Sequence, residues 1–106
     1  MTTFDKREKD FERKFALDEE LKFKSMARRN RLLGLWAAEQ LWLSGDAAKT
    51  YASEVVAADF EAAGDGVARK VTSDLAARGI TIPDDQLRDK MAQFLAVAVA
   101  EVQAGN

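Results

Sequence analysis

Residues Leu32–Leu43, LLGLWAAEQLWL, put apolar side chains on nearly every face of a helix. A helix that is apolar all round has neighbours all round, so the stretch predicts the central helix of a bundle. Gly34 lies inside it. A glycine there costs about 1 kcal/mol against alanine, which points to a neighbouring backbone approaching too closely for a side chain. Upstream, Lys22–Arg31 (KFKSMARRNR) is basic and mostly polar. Downstream, Gly45 reads as a stop signal. The helix is expected over Glu19–Leu43, with Asp18 as its N-cap. Fusion with the segment before it is the alternative, since no Gly or Pro interrupts residues 1–33. Against fusion, the apolar stripe of Phe4–Phe15 does not continue past Phe15.

Further on, glycines and the single proline fall between helical periodicities. Asp46 is placed to cap a helix ending before Gly64, and Ala48, Tyr51, Ala52, Val55, Val56 and Phe60 recur on it at i, i+3, i+4 spacing. Gly66–Arg78 follows, with Asp65 as cap, Gly79 behind it and a stripe of Val67, Val71 and Leu75. Pro83 stands near the first turn of the last helix, and Asp84 and Asp85 sit favourably at its positive dipole end. Leu87, Met91, Phe94, Leu95, Ala98 and Val102 form the clearest stripe of the chain. Four amphipathic helices with short loops predict an all-α, four-helix bundle over residues 19–106. Many inward positions are alanine, so close packing and a modest core are expected.

Residues 1–18 are of another kind and are expected to form an N-terminal arm, partly disordered or helical. In Phe4–Phe15, FDKREKDFERKF, three phenylalanines stand among nine charged residues. On a helix capped by Thr3, Phe4, Phe11 and Phe15 fall within about 40° of one another. So thin a stripe cannot build a core, but it can dock on one. An isolated helix of this length is marginal in water, so fraying or disorder is expected in the free protein. Were the arm to fold back, its phenylalanines would be core. In a partner's groove, burying three of them would contribute roughly 5–9 kcal/mol, against about 2–5 kcal/mol for ordering the segment. The flanking charges must therefore also find partners.

Composition removes most chemistry. Among 106 residues there is no cysteine and no histidine, so disulfides, thiolate nucleophiles and imidazole acid–base catalysis are excluded. No phosphate-binding glycine loop, nucleophile elbow or metal-ligand spacing is present, and an enzyme is not expected. Net charge is −2, but residues 1–31 hold ten Lys/Arg against seven Asp/Glu. The front is basic and the body acidic. Arg28, Arg29 and Arg31 with Asn30 are suited to phosphate and base contacts, so a small helical nucleic-acid-binding module using the Arg28–Arg31 face is the alternative reading. The acidic body weighs against it. The N-terminus lacks an apolar h-region, and the longest apolar run, Phe94–Ala100, is too short to span a membrane, so a cytoplasmic protein is expected.

FDKREKDFERKFALDEELKFK, then ARRNRLLGLWAAE, YASEVVAADFEAAG and the late RDKM helix together resemble the zeta subunits of alphaproteobacterial F-type ATP synthases, the ATPase inhibitor family. The resemblance spans nearly the whole chain and is most specific over Phe4–Glu39. It implies a four-helix bundle carrying an inhibitory arm that becomes helical as it enters the catalytic head at an alpha/beta interface facing the gamma shaft. There it would block rotation in the hydrolysis direction. Carried onto this sequence, Phe4, Phe11 and Phe15 are the apolar anchors, and Arg7, Glu8, Glu12, Arg13 and Lys14 the charged contacts. The implied partners are the alpha, beta and gamma subunits, with the protein held at the inner face of the membrane through the ATP synthase. No nucleic acid, no membrane insertion and a monomeric free protein are expected. Related sequences often carry histidine where this chain has Leu17, so a histidine-titration switch is ruled out here. Some members bind adenine nucleotides; no residue here places such a site, and no cofactor is expected from the residues themselves.

Overall fold

The computed structural model describes the backbone of residues 2–61 and 65–105 and the side chains of residues 19–60 and 65–105. Four helices follow one another: α1 (Thr2–Gln40), α2 (Gly45–Glu61), α3 (Gly66–Ala76) and α4 (Asp84–Gln103). The described residues contain no strand. The chain is an all-α four-helix bundle whose arm is continuous with its first helix.

That continuity corrects one expectation. The Phe4–Leu17 and Glu19–Leu43 segments are a single helix of 39 residues, and Asp18 lies inside it rather than capping a new one. No glycine or proline interrupts residues 1–33. An unbroken ladder of main-chain hydrogen bonds then prevails over an optional cap. At 1.5 Å per residue α1 is about 58 Å long, close to the 64 Å long axis of the molecule. It packs against α2, α4 and α3, while α2 also packs against α3. As expected of a helix apolar all round, α1 is the central one.

Its contact with α2 explains Gly34. A Cβ there would stand 2.7 Å from Ala52 Cα and 3.2 Å from Val55 Cβ. Only a hydrogen fits, and the two backbones touch. Around this point Leu33, Ala37 and Ala38 of α1 and Leu41 just beyond its end join Tyr51, Val55, Val67, Val71, Leu75, Leu87 and Met91 in one core. The α3 stripe is wholly buried. On α4, Leu87, Met91 and Ala98 are buried, with Phe94, Leu95 and Val102 partly so. The α2 stripe holds except at its end, where Phe60 is 72% exposed. It follows Val56 by four residues but lies about 150° around the helix from the middle of the buried face.

The helix ends are set by the main chain. Trp42 takes the left-handed conformation, φ 62°. Its N–H donates to Glu39 C=O and that of Leu43 donates to Ala38 C=O, a Schellman ending with tryptophan where glycine usually stands. The stop is therefore Trp42 and not Gly45, which opens α2. The Ser44 carbonyl accepts from Ala48 N–H, and Asp46 falls within the first turn instead of capping it. Gly79, φ 77°, ends α3 in the same way: the Ile80 N–H donates to Leu75 C=O. Asp65 occupies the cap position of α3, yet its side chain makes no cap hydrogen bond. Its Oδ1 instead accepts from Arg88 Nη2 at 3.1 Å, tying the start of α3 to α4.

A polar cluster joins α2 to α3. The Tyr51 hydroxyl donates to Asp74 Oδ2 at 2.9 Å. Lys70 pairs with Asp74 at 3.1 Å and Glu54 at 3.6 Å, lying over the Tyr51 ring. Burial and then the bond to Asp74 push the Tyr51 hydroxyl well above its usual range.

Candidate partner-binding surface

The bundle grips α1 only along part of its length. Among the described side chains of α1, Glu19, Glu20, Lys22, Phe23 and Lys24 are exposed, and full burial begins at Ser25. Here α4 is already ending: Glu101, in its last turn, pairs with Arg28 at 3.5 Å. Toward its N-terminus α1 continues as helix to Thr2. All eight residues expected to bind a partner, Phe4, Arg7, Glu8, Phe11, Glu12, Arg13, Lys14 and Phe15, belong to this portion of α1. Their side chains lie outside the described residues.

Within the Arg28–Arg31 segment, Arg28 and Arg31 line the same side of α1 while Arg29 is engaged elsewhere. Successive helical residues are 100° apart, and the structure uses the difference. Arg28 turns to Glu101 of α4. The Arg29 guanidinium donates from Nε and Nη2 to Asn30 Oδ1, at 3.1 and 2.9 Å. Asn30 is 1% exposed, and these bonds satisfy its buried oxygen. Burial lowers the Arg29 pKa from its ordinary value, while nearby Asp59 of α2 acts to raise it. Arg31 is left exposed. Two of the three arginines thus have partners within the chain, Arg28 on α4 and Arg29 on α1 itself.

Two large rings lie open beside this region. Phe23 is 64% and Phe60 72% exposed. The sequence reading does not single out Phe23. Its one signal is negative: it is a large apolar residue within a segment that is otherwise basic and polar. Among the described residues no group of three or more His, Cys, Asp or Glu could hold a metal ion. No described helix is long and apolar enough to cross a membrane. The described part of this surface is exposed helix, rings and charges.

The family model described as ATPase inhibitor subunit zeta matches residues 1–101. A solved chain, determined by solution NMR, superimposes with a TM-score of 0.69 at 47% identity, covering 81% of this chain and 99% of that one. No curated protein matches. The match to the family model takes in both the bundle and the N-terminal portion of α1, and so the chain belongs to the ATPase inhibitor subunit zeta family, a family of regulators and not of enzymes.

Proposed function

We propose that this chain inhibits ATP hydrolysis by the F-type ATP synthase by inserting residues 2–18 of α1 into the catalytic head. The arm enters at an alpha/beta interface facing gamma and stops the shaft from turning in the hydrolysis direction. Phe4, Phe11 and Phe15 fill apolar pockets. Arg7, Glu8, Glu12, Arg13 and Lys14 meet charges of both signs along the groove, which adds specificity more than affinity. The bundle, residues 19–106, remains outside and is the domain from which the arm projects. Inhibition of this kind is steric and asks for no cofactor. The protein is peripheral to the membrane, held there through the enzyme.

One observation carries this reading. α1 runs unbroken from Thr2 to Gln40, yet the described side chains of α1 become fully buried only from Ser25 onward. The bundle has a complete core drawn from all four helices within the described residues. The described part of α1 ahead of Ser25 is therefore open to another protein, and the helix continues from it to Thr2. The test is a paired measurement on Phe11→Ala. Inhibition of the cognate catalytic head should weaken at least tenfold, while unfolding free energy should change by less than about 0.5 kcal/mol, as for a substitution away from the core. A large loss of stability would place Phe11 in the core and contradict the proposal.

A further inference from the structure

Where α1 enters the bundle, the surface has a second feature that the arm does not account for. A groove of about 590 Å³ opens beside Phe23, floored by Ala27, Val56 and Val102 and rimmed by Lys24, Arg28 and Arg31. On the other side of Phe23 a smaller hollow leads to Phe60. Single exposed apolar residues need no explanation, but here two exposed rings and two half-buried valines from three helices converge. The volume is enough to receive several side chains.

We propose that this groove is a second docking surface for the catalytic head, receiving an apolar ridge flanked by carboxylates on the outer face next to where the arm enters. The inference rests on the arm reading and adds to it a contact made by the bundle. The charge of the rim selects the occupant. Among the described residues three cations and no acid line the groove, and one acid, Asp59, lines the smaller hollow beside it. Lys24 pairs with Glu20 at 3.0 Å and Arg28 with Glu101 at 3.5 Å, both in partly or largely exposed positions. Such pairs are weak and exchange readily for a partner's carboxylate. Arg31 has no ion pair among the described residues. A second copy of the chain would set this face against itself across a two-fold axis, placing like charges opposite one another. Location selects the occupant as well. Phe23 is eight residues beyond Phe15 on the same helix, about 12 Å along its axis. A protein that encloses the arm thus has the groove within reach.

The experiment measures both binding to and inhibition of the purified catalytic head, using the full-length chain and its Phe23→Ser, Phe60→Ser and Arg31→Glu variants. Each phenylalanine variant should raise Kd about tenfold, with maximal inhibition at saturation and thermal unfolding unchanged. Arg31→Glu should raise Kd about threefold at low salt and much less at high salt. Should wild-type protein inhibit while the two phenylalanine variants bind as tightly as it does, the groove proposal is overturned and the arm reading stands. Wild-type protein that neither binds nor inhibits overturns both. Sedimentation showing a dimer of the free chain that Phe60→Ser dissociates would give the groove to a second copy, also overturning the proposal.

Discussion

Between Leu33 and Ala38, α1 has the packing of a protein interior. Leu33, Ala37 and Ala38 have no exposed surface, and Gly34 lets the backbone of α2 come into contact. Between Glu19 and Lys24, on the same helix, the charged side chains lie in water and Phe23 stands 64% exposed. The residue types differ accordingly. The packed end uses glycine, alanine and leucine, which permit close approach. The open end uses long charged side chains with isolated rings, which cost little in water and gain from a partner that covers them. One helix can therefore serve a core and a partner if its composition changes along its length.

The comparison can be broken first at its packed end. Leu75 of α3 is fully buried, and Leu75→Ala should cost about 3 kcal/mol in transfer and cavity terms. Denaturant unfolding checks this, with the midpoint falling and its steepness unchanged. Gly34→Ala should cost less. Overpacking against Ala52 costs about 1–3 kcal/mol, and the better helix propensity returns about 1 kcal/mol, leaving a net loss of about 0–2 kcal/mol. A stabilised Gly34→Ala protein would mean that α1 and α2 can separate without penalty.

A smaller effect is expected at the Tyr51–Asp74 bond. Tyr51→Phe keeps the buried ring and removes one hydrogen bond, about 1 kcal/mol at neutral pH. The sign of its pH dependence follows from the raised Tyr51 pKa. The folded state favours the protonated hydroxyl, so the contribution is fully present below the unfolded value near 10. It is lost as pH rises toward the folded value. Above about pH 10 the wild-type protein should lose stability more steeply than Tyr51→Phe.

Much of this was legible in the sequence. The all-round apolar run at Leu32–Leu43, the stripes of α3 and α4, and the close approach at Gly34 follow from helical periodicity and residue size. The α1–α2 boundary did not, because it turns on Trp42 adopting a conformation that tryptophan seldom takes; hydrogen bonds to Ala38 and Glu39 hold it there. Asp65 looked like a cap, but an arginine distant in sequence claims its carboxylate. Phe60 matched the spacing of its neighbours while drifting off their face. For the arm, the narrow stripe supports the expectation of a docking segment, but a partner's groove cannot be read from the charge and spacing of this chain. The openness of Phe23 had only a faint sequence signature, its basic and polar neighbours, because it depends on where α2 and α4 end.

The central claim is that α1 divides its work, its second half holding the bundle and its first half stopping the enzyme. The most direct test is hydrolysis by the purified catalytic head with full-length protein and with a chain lacking residues 2–17. The shortened chain should unfold at nearly the same temperature and no longer inhibit. Inhibition that survives the deletion, or a bundle that collapses with it, would overturn the proposed division of α1.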